Sequence, residues 1–216
     1  MIHKIRQLIP IIGLPSEENY VFPEILPRED GGSILVSRTA LKQAEKQKVL
    51  RLVNEDGYDR RAYDQLLSYS TTFITPLEFN TVNNTAFNTV IIPAGLLTVS
   101  AKQKDDAGFL AAAGFVIAHE IGHSFDATGS LHDETGAVKN WWSGTVRAKF
   151  HELEALFDAQ YSRFPIADGL YQDFNGDIQE AMADYAGISV ILDIAGSDPV
   201  PGRKYSKRLR LMCLRA

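Results

Sequence analysis

The sequence predicts a mainly helical α+β fold with a small β-sheet. Two long stretches, residues 107–125 and 178–194, are almost wholly small or apolar and read as largely buried helices. Residues 75–98 change texture to Asn, Thr, Val, Ile and Phe, as extended structure does. With 216 residues, 45% of them hydrophobic, the chain is long enough for one domain with a substantial core.

Taken in order, the first 38 residues are rich in Pro, Gly and charge without a sustained period, so they read as connecting or surface structure. From Thr39 to Asn54, the residues Leu41, Ala44, Val49, Leu50 and Val53 fall on one face of an amphipathic helix, and a shorter helical piece follows near 60–69. Two strands with an Asn-rich turn fit 75–98, closed by Pro93 and Gly95. A polar loop at 128–136 precedes a helix marked by Phe150, Leu153, Phe157 and Tyr161. Asn175, Gly176 and Asp177 supply turn and cap residues for the last helix. The chain thus divides into an N-terminal helical and connecting region (1–74), a core carrying the chemistry (75–195) and a basic tail (196–216).

A net charge of −5 gives no whole-protein attraction to nucleic acid. Cys213 is the single cysteine, which excludes a disulfide framework or a cysteine-rich metal site. The opening MIHKIRQLIPIIGLP is too short and proline-broken for a signal peptide, and no run approaches a membrane span, so the chain reads as soluble. Nothing in it fixes an oligomeric state.

A charge embedded in apolar helix is costly unless paired or ligated, and His119, Glu120, His123, Glu180 and Asp184 all need such an explanation. In HEIGH the histidines are four apart, on one helical face and one turn apart, so both can reach a single Zn²⁺. Glu120 beside that face suits a general base acting on a metal-activated water. A third ligand is required. The metzincin extension would need Gly and His where Asp126 and Gly129 stand, so that class is rejected. Glu180, with Asp184 one turn on to hydrogen-bond a histidine, is the best choice. His3, His132 and His151 lie in polar settings and read as surface side chains.

The stretch VIAHEIGHSFDATG followed by GAVKNWW resembles the neprilysin and endothelin-converting-enzyme family of zinc peptidases, whose pattern is close to VIGHEITHGFDxxG then GxxxxWW. Upstream, FNTVNNTAFNTVIIPAGLL resembles the family's VNAFYxxxxNxIxFPAGIL. Downstream, Gln160 and Tyr161 match its QY pair, and NGDIQEAMADYAG resembles NGxxTLGENIADNGG. The resemblance covers a little over half the chain. It implies a zincin-like, thermolysin-like gluzincin core and one Zn²⁺ held by His119, His123 and Glu180. It further implies Glu120 as catalytic base and Asp184 and Asp126 as hydrogen-bond supports of the ligands. Asn80 and Thr81, in place of the family's Asn-Ala pair, would hold a peptide's backbone along an edge strand that includes Asn80. The implied activity is hydrolysis of oligopeptides on the amino side of hydrophobic residues, at the cell surface or outside the cell.

There are departures. Gln179 and Ala181 replace the Gly and Asn flanking the family's Glu, Tyr185-Ala186 replaces an Asn-Gly region, and Leu156 stands where vertebrate members carry a disulfide cysteine. The family's second helical domain and its C-terminal His and Arg find no match here. The alternative expectation is therefore a truncated, catalytically weak or inactive member that binds zinc and peptide or a partner without efficient turnover. A third reading, a helical domain without metal, leaves the buried charges unexplained.

Overall fold

A computed structural model describes residues 1–13, 23–54, 74–171 and 178–196. The piece expected near 60–69, the cap residues 175–177 and the basic tail lie outside these. The elements are α1 (Ile2–Gln7), β1 (Ile9–Gly13), α2 (Ile34–Asn54), β2 (Val82–Asn84), β3 (Thr89–Pro93) and α3 (Ala94–Ser100). They continue with α4 (Asp106–Phe109), a π-helical turn (Leu110–Gly114), α5 (Phe115–His123), α6 (Gly144–Tyr161), β4 (Pro165–Ala167), β5 (Leu170–Tyr171) and α7 (Ile178–Gly196). The mainly helical α+β expectation is met.

β3 is the hub. Its β-branched run is buried from end to end, and its side chains alternate between two apolar clusters, as a period of two requires. Val90 and Ile92 pack with Leu96 and Ala113, while Ile91 packs with Ile11 and Ile74 on the other face. β1 runs parallel to β3, and β2 antiparallel, giving the order β1-β3-β2 with β2 at an edge. The Asn-rich turn joins β2 to β3 as expected, with Asn88 in the left-handed region at φ 51° that Asn tolerates.

The expectation of mere connecting structure over the first 38 residues is corrected. α1 and β1 belong to the core: Ile11 is buried, and Lys4 on α1 is 1% exposed. Five residues containing Pro10 are too few to show a strand period. By contrast, α2 starts five residues before the expected Thr39, and Ile34 and Leu35 are exposed.

The helix expected over 107–125 forms from α4, the π turn and α5 in succession. It packs along α7 at very close range because small residues meet there. A Cβ on Gly187 would lie 3.1 Å from the His119 nitrogen and 3.2 Å from the Phe115 ring, and one on Gly122 would lie 3.3 Å from the Ala183 Cα. This contact decides the site, because it brings the first turns of α7 against the histidine face of α5.

Candidate metal centre and catalytic cleft

His119 and His123 stand one turn apart on α5, with their Nε2 atoms 3.0 Å apart. Glu180, in the first turn of α7, places Oε2 at 3.2 Å from His119 Nε2 and 3.5 Å from His123 Nε2. The other ring nitrogens are engaged. His119 Nδ1 lies 2.8 Å from Asp184 Oδ1, and His123 Nδ1 lies 2.8 Å from Asp126 Oδ2. A carboxylate can only accept, so each Nδ1 carries the hydrogen, and in the neutral ring each Nε2 then turns a lone pair inward.

Two imidazole lone pairs and a carboxylate oxygen converging at these distances repel unless a proton or a metal cation lies among them. A tetrahedral ion with ligands at about 2.0–2.1 Å sets them about 3.3 Å apart, and the three separations bracket that edge. Nitrogen and oxygen donors in this number fit Zn²⁺. His119, Glu120 and His123 also carry ligand-capable atoms within 4.8 Å of one another. The Glu180 set fits better, because the Glu120 carboxylate is already engaged elsewhere.

That engagement comes from Asn83 on β2, a residue that the motifs do not single out. Its backbone N–H donates to Glu120 Oε2 at 2.7 Å, and its side-chain Nδ2 donates to the Glu120 carbonyl at 2.7 Å and to Ser124 Oγ at 2.8 Å. Burial raises the Glu120 carboxyl above its ordinary value, against the lowering pull of His123, the Asn83 N–H and His119. For His123, burial pulls downward. The Asp126 hydrogen bond and the charges of Glu120, Glu180 and Asp126 outweigh it and leave the imidazole above its usual value.

Asp126 is itself fixed: its Oδ1 accepts the Gly129 N–H at 2.7 Å, and its side chain is 12% exposed. The burial premise behind the acidic pair on α7 is corrected. The side chains of Glu180 and Asp184 are 61% and 52% exposed, although both carboxylates face His119 on α5. Only the histidines and Glu120 answer to the argument from embedded charge.

The edge-strand placement of Asn80 also changes. β2 begins at Val82, so Asn80 and Thr81 lie just before the strand, although both line the cleft with Val82, Asn83 and Thr85. Asn80 is exposed, whereas Thr81 is 1% exposed and turns its Oγ1 to the Val116 carbonyl at 3.4 Å. The remaining histidines are paired elsewhere: His3 with Glu134, His132 with the Thr128 carbonyl, and His151 with Glu154. Gln179, one of the departures from the family pattern, accepts the Ala127 N–H and donates to Glu154, tying α7 to both the Asp126 loop and α6.

The model of peptidase family M13 matches residues 80–208, which include the whole cluster. The chain belongs to peptidase family M13. Among curated relatives of this M13 chain, Neprilysin-2 of Caenorhabditis elegans is 33% identical over 105 residues, covering 47% of the chain and 14% of the relative. The neutral endopeptidase of Lactococcus lactis subsp. cremoris is 28% identical over 203 residues, 90% of the chain and 29% of the relative. Among solved structures, PepO from Lactobacillus rhamnosis superposes with a TM-score of 0.72 at 24% identity over 99% of the chain and 32% of that structure. Mycobacterium tuberculosis zinc metalloprotease Zmp1 gives 0.69 at 20% identity, over 98% and 32%. These superpositions show the fold of the M13 chain, which spans about a third or less of each of these proteins. Among the described residues, no helix is long and apolar enough to cross a membrane.

Proposed function

We propose that the chain is the core of a zinc-dependent metalloendopeptidase that binds one Zn²⁺ through His119, His123 and Glu180. The observation that carries this is the convergence of two Nε2 atoms and Glu180 Oε2 beside a separately held Glu120. Zn²⁺ bound there supplies Lewis acidity, polarising a scissile carbonyl and making a water easier to deprotonate. Glu120 is the general base: it takes the water's proton and delivers it to the leaving amine nitrogen. The Asn83 N–H fixes Oε2 and orients the carboxylate. Asp184 and Asp126 hold the imidazoles in the tautomer that ligation needs.

A peptide would lie along the cleft beside edge strand β2, with the exposed Asn80 amide as donor and acceptor to its backbone. Thr81 would contribute backbone alone, since its side chain is buried. The neprilysin likeness supports oligopeptides cut before hydrophobic residues, and a setting at the cell surface or outside the cell.

One observation favours the second reading, a member that binds zinc and peptide with slow turnover. Among the described residues lining the cleft there is no Lys or Arg, nor any His apart from the two proposed ligands, to face a developing oxyanion. Losing one such donor costs about 10²–10³ in rate. The experiment is hydrolysis of a quenched-fluorescent peptide with a hydrophobic residue after the scissile bond, by zinc-loaded wild type and Glu120→Gln. Turnover that disappears in the variant supports the peptidase. Equal background from two folded, zinc-containing proteins moves the assignment to binding.

A further inference from the structure

Lys4 lies more than a hundred residues from HEIGH in sequence, yet its ammonium ends beneath the loop that follows it. The side chain is 1% exposed, and Nζ donates to the carbonyls of Ser124 at 2.9 Å, Gly129 at 2.7 Å and His132 at 2.8 Å. Three N–H donors thus meet three acceptors, which uses the full capacity of an ammonium group. The Phe125 and Trp141 rings, with centroids 5.8 and 5.5 Å away, complete the surround. α1 is anchored in turn, because Asn88 Nδ2 donates to the Lys4 carbonyl and to that of Glu134, both at 3.1 Å.

The three carbonyls bracket one segment. Ser124 follows the last residue of α5, Gly129 opens a short 3₁₀ turn, and His132 ends it. Asp126 lies between them. Gly129 is held from both sides, its N–H by Asp126 Oδ1 and its carbonyl by Lys4, while Asp126 Oδ2 meets His123 Nδ1. A buried ammonium is an expensive way to fill space. Burial pushes Lys4 down to about 8, against the raising pull of Asp126, Asp133 and Glu134. An apolar side chain would fill the same volume without that cost, so the donors themselves account for a lysine here.

We propose that Lys4 is a positioning residue of the metal centre: by fixing residues 124–132 through three carbonyls, it sets the orientation of Asp126 and thereby of the His123 imidazole. This rests on the reading of His123 as a zinc ligand.

The test is zinc affinity, read by competition with a chromophoric chelator, for the full chain as wild type, Lys4→Met, Asp126→Asn and the double variant. Partners that orient a ligand change metal affinity by about 10–100-fold. Lys4→Met is therefore expected to weaken zinc binding about tenfold. The double variant should bind within about threefold of Asp126→Asn, because the two residues act along one path. Losses that multiply in the double variant would overturn the proposal, as would a zinc affinity within about twofold of wild type in a Lys4→Met protein that merely melts earlier. Lys4→Gln, which keeps two N–H donors, takes its place if the Met variant does not fold by circular dichroism. Failure of both to fold makes Lys4 an element of core stability and overturns the proposal. Tight zinc binding by wild type with unaffected variants sinks this inference alone. No zinc binding by wild type sinks the metal centre with it.

Discussion

Asn83 holds Glu120 in two ways that mutation can separate. The backbone N–H to Oε2 survives any side-chain change, whereas the amide bonds to the Glu120 carbonyl and Ser124 Oγ are lost in Asn83→Ala. Those bonds tie the edge strand to the end of α5 and are worth about 1–2 kcal/mol together. Asn83→Ala is expected to lower kcat about tenfold in peptide hydrolysis while leaving zinc content at one per chain. A normal kcat would remove Asn83 from the account. Thr81→Val is the contrast: with the hydroxyl turned to Val116, hydrolysis and zinc affinity should stay within about twofold of wild type. At this scale, His119, Glu120 and His123 are legible in sequence because an i, i+4 pair on a helix is a local pattern. Asn83 is not, since its bond to the Glu120 carboxylate comes from a backbone N–H that any residue would supply. Lys4 is not, since the carbonyls it serves are remote in sequence and carry no residue signature.

The α5–α7 contact sets the geometry at the scale of elements. Gly187 admits the His119 backbone and the Phe115 ring at near-contact distance, so Gly187→Leu must push the helices apart. Overpacking of this kind costs about 1–3 kcal/mol, and here it should also weaken zinc binding, because Glu180 reaches the histidines only across this interface. Thermal melting and chelator competition on the same variant check both effects. An unchanged zinc affinity would show that the interface does not set the ligand spacing.

The turn beneath Lys4 carries a pH signature. Asp133 Oδ1 accepts from the Thr135 hydroxyl and from the N–H groups of Thr135 and Ala137. The Thr135 hydroxyl leads in holding its carboxyl below the usual value, with burial opposing. The unfolded state therefore binds more protons through that window, and stability rises with pH across it. The contribution is complete above about pH 4 and is lost as pH falls through the depressed value. Asp133→Asn should flatten that acid limb in denaturant unfolding measured from pH 6 to 2, whereas an unaltered limb would contradict the assignment. Of these elements, the β2–β3 pair and α7 follow from period and turn chemistry. The hairpin of β4 and β5 does not, being three and two residues long and exposed, too short for alternation to register. The π turn between α4 and α5 likewise leaves no mark on apolar spacing.

Over the whole molecule, helices and sheet meet on β3, and the cleft forms where edge strand β2, α5 and the start of α7 come together. The loop clamped by Lys4 closes the same site from the N-terminal helix. A folded state that assembles four carboxylates around two imidazoles should gain from a cation what it loses by repulsion without one. Zinc at about a thousand times its dissociation constant adds about 4 kcal/mol to stability. For a chain of this size, that corresponds to a rise in Tm of about 8–16 °C, reversed by chelator. A Tm indifferent to zinc would argue against a preformed site. The family relation is legible from residues 75–195 because ordered motifs survive divergence. The reach of α1 to the loop that carries Asp126 is not, because it depends on three-dimensional closure across the chain.

The most direct test is calorimetric titration of metal-free protein with Zn²⁺, wild type against Glu180→Ala. One ion per wild-type chain, with affinity falling at least 100-fold in the variant, is the predicted result. Wild type that takes up no zinc, or a variant that binds it as tightly, would contradict the proposed centre of His119, His123 and Glu180.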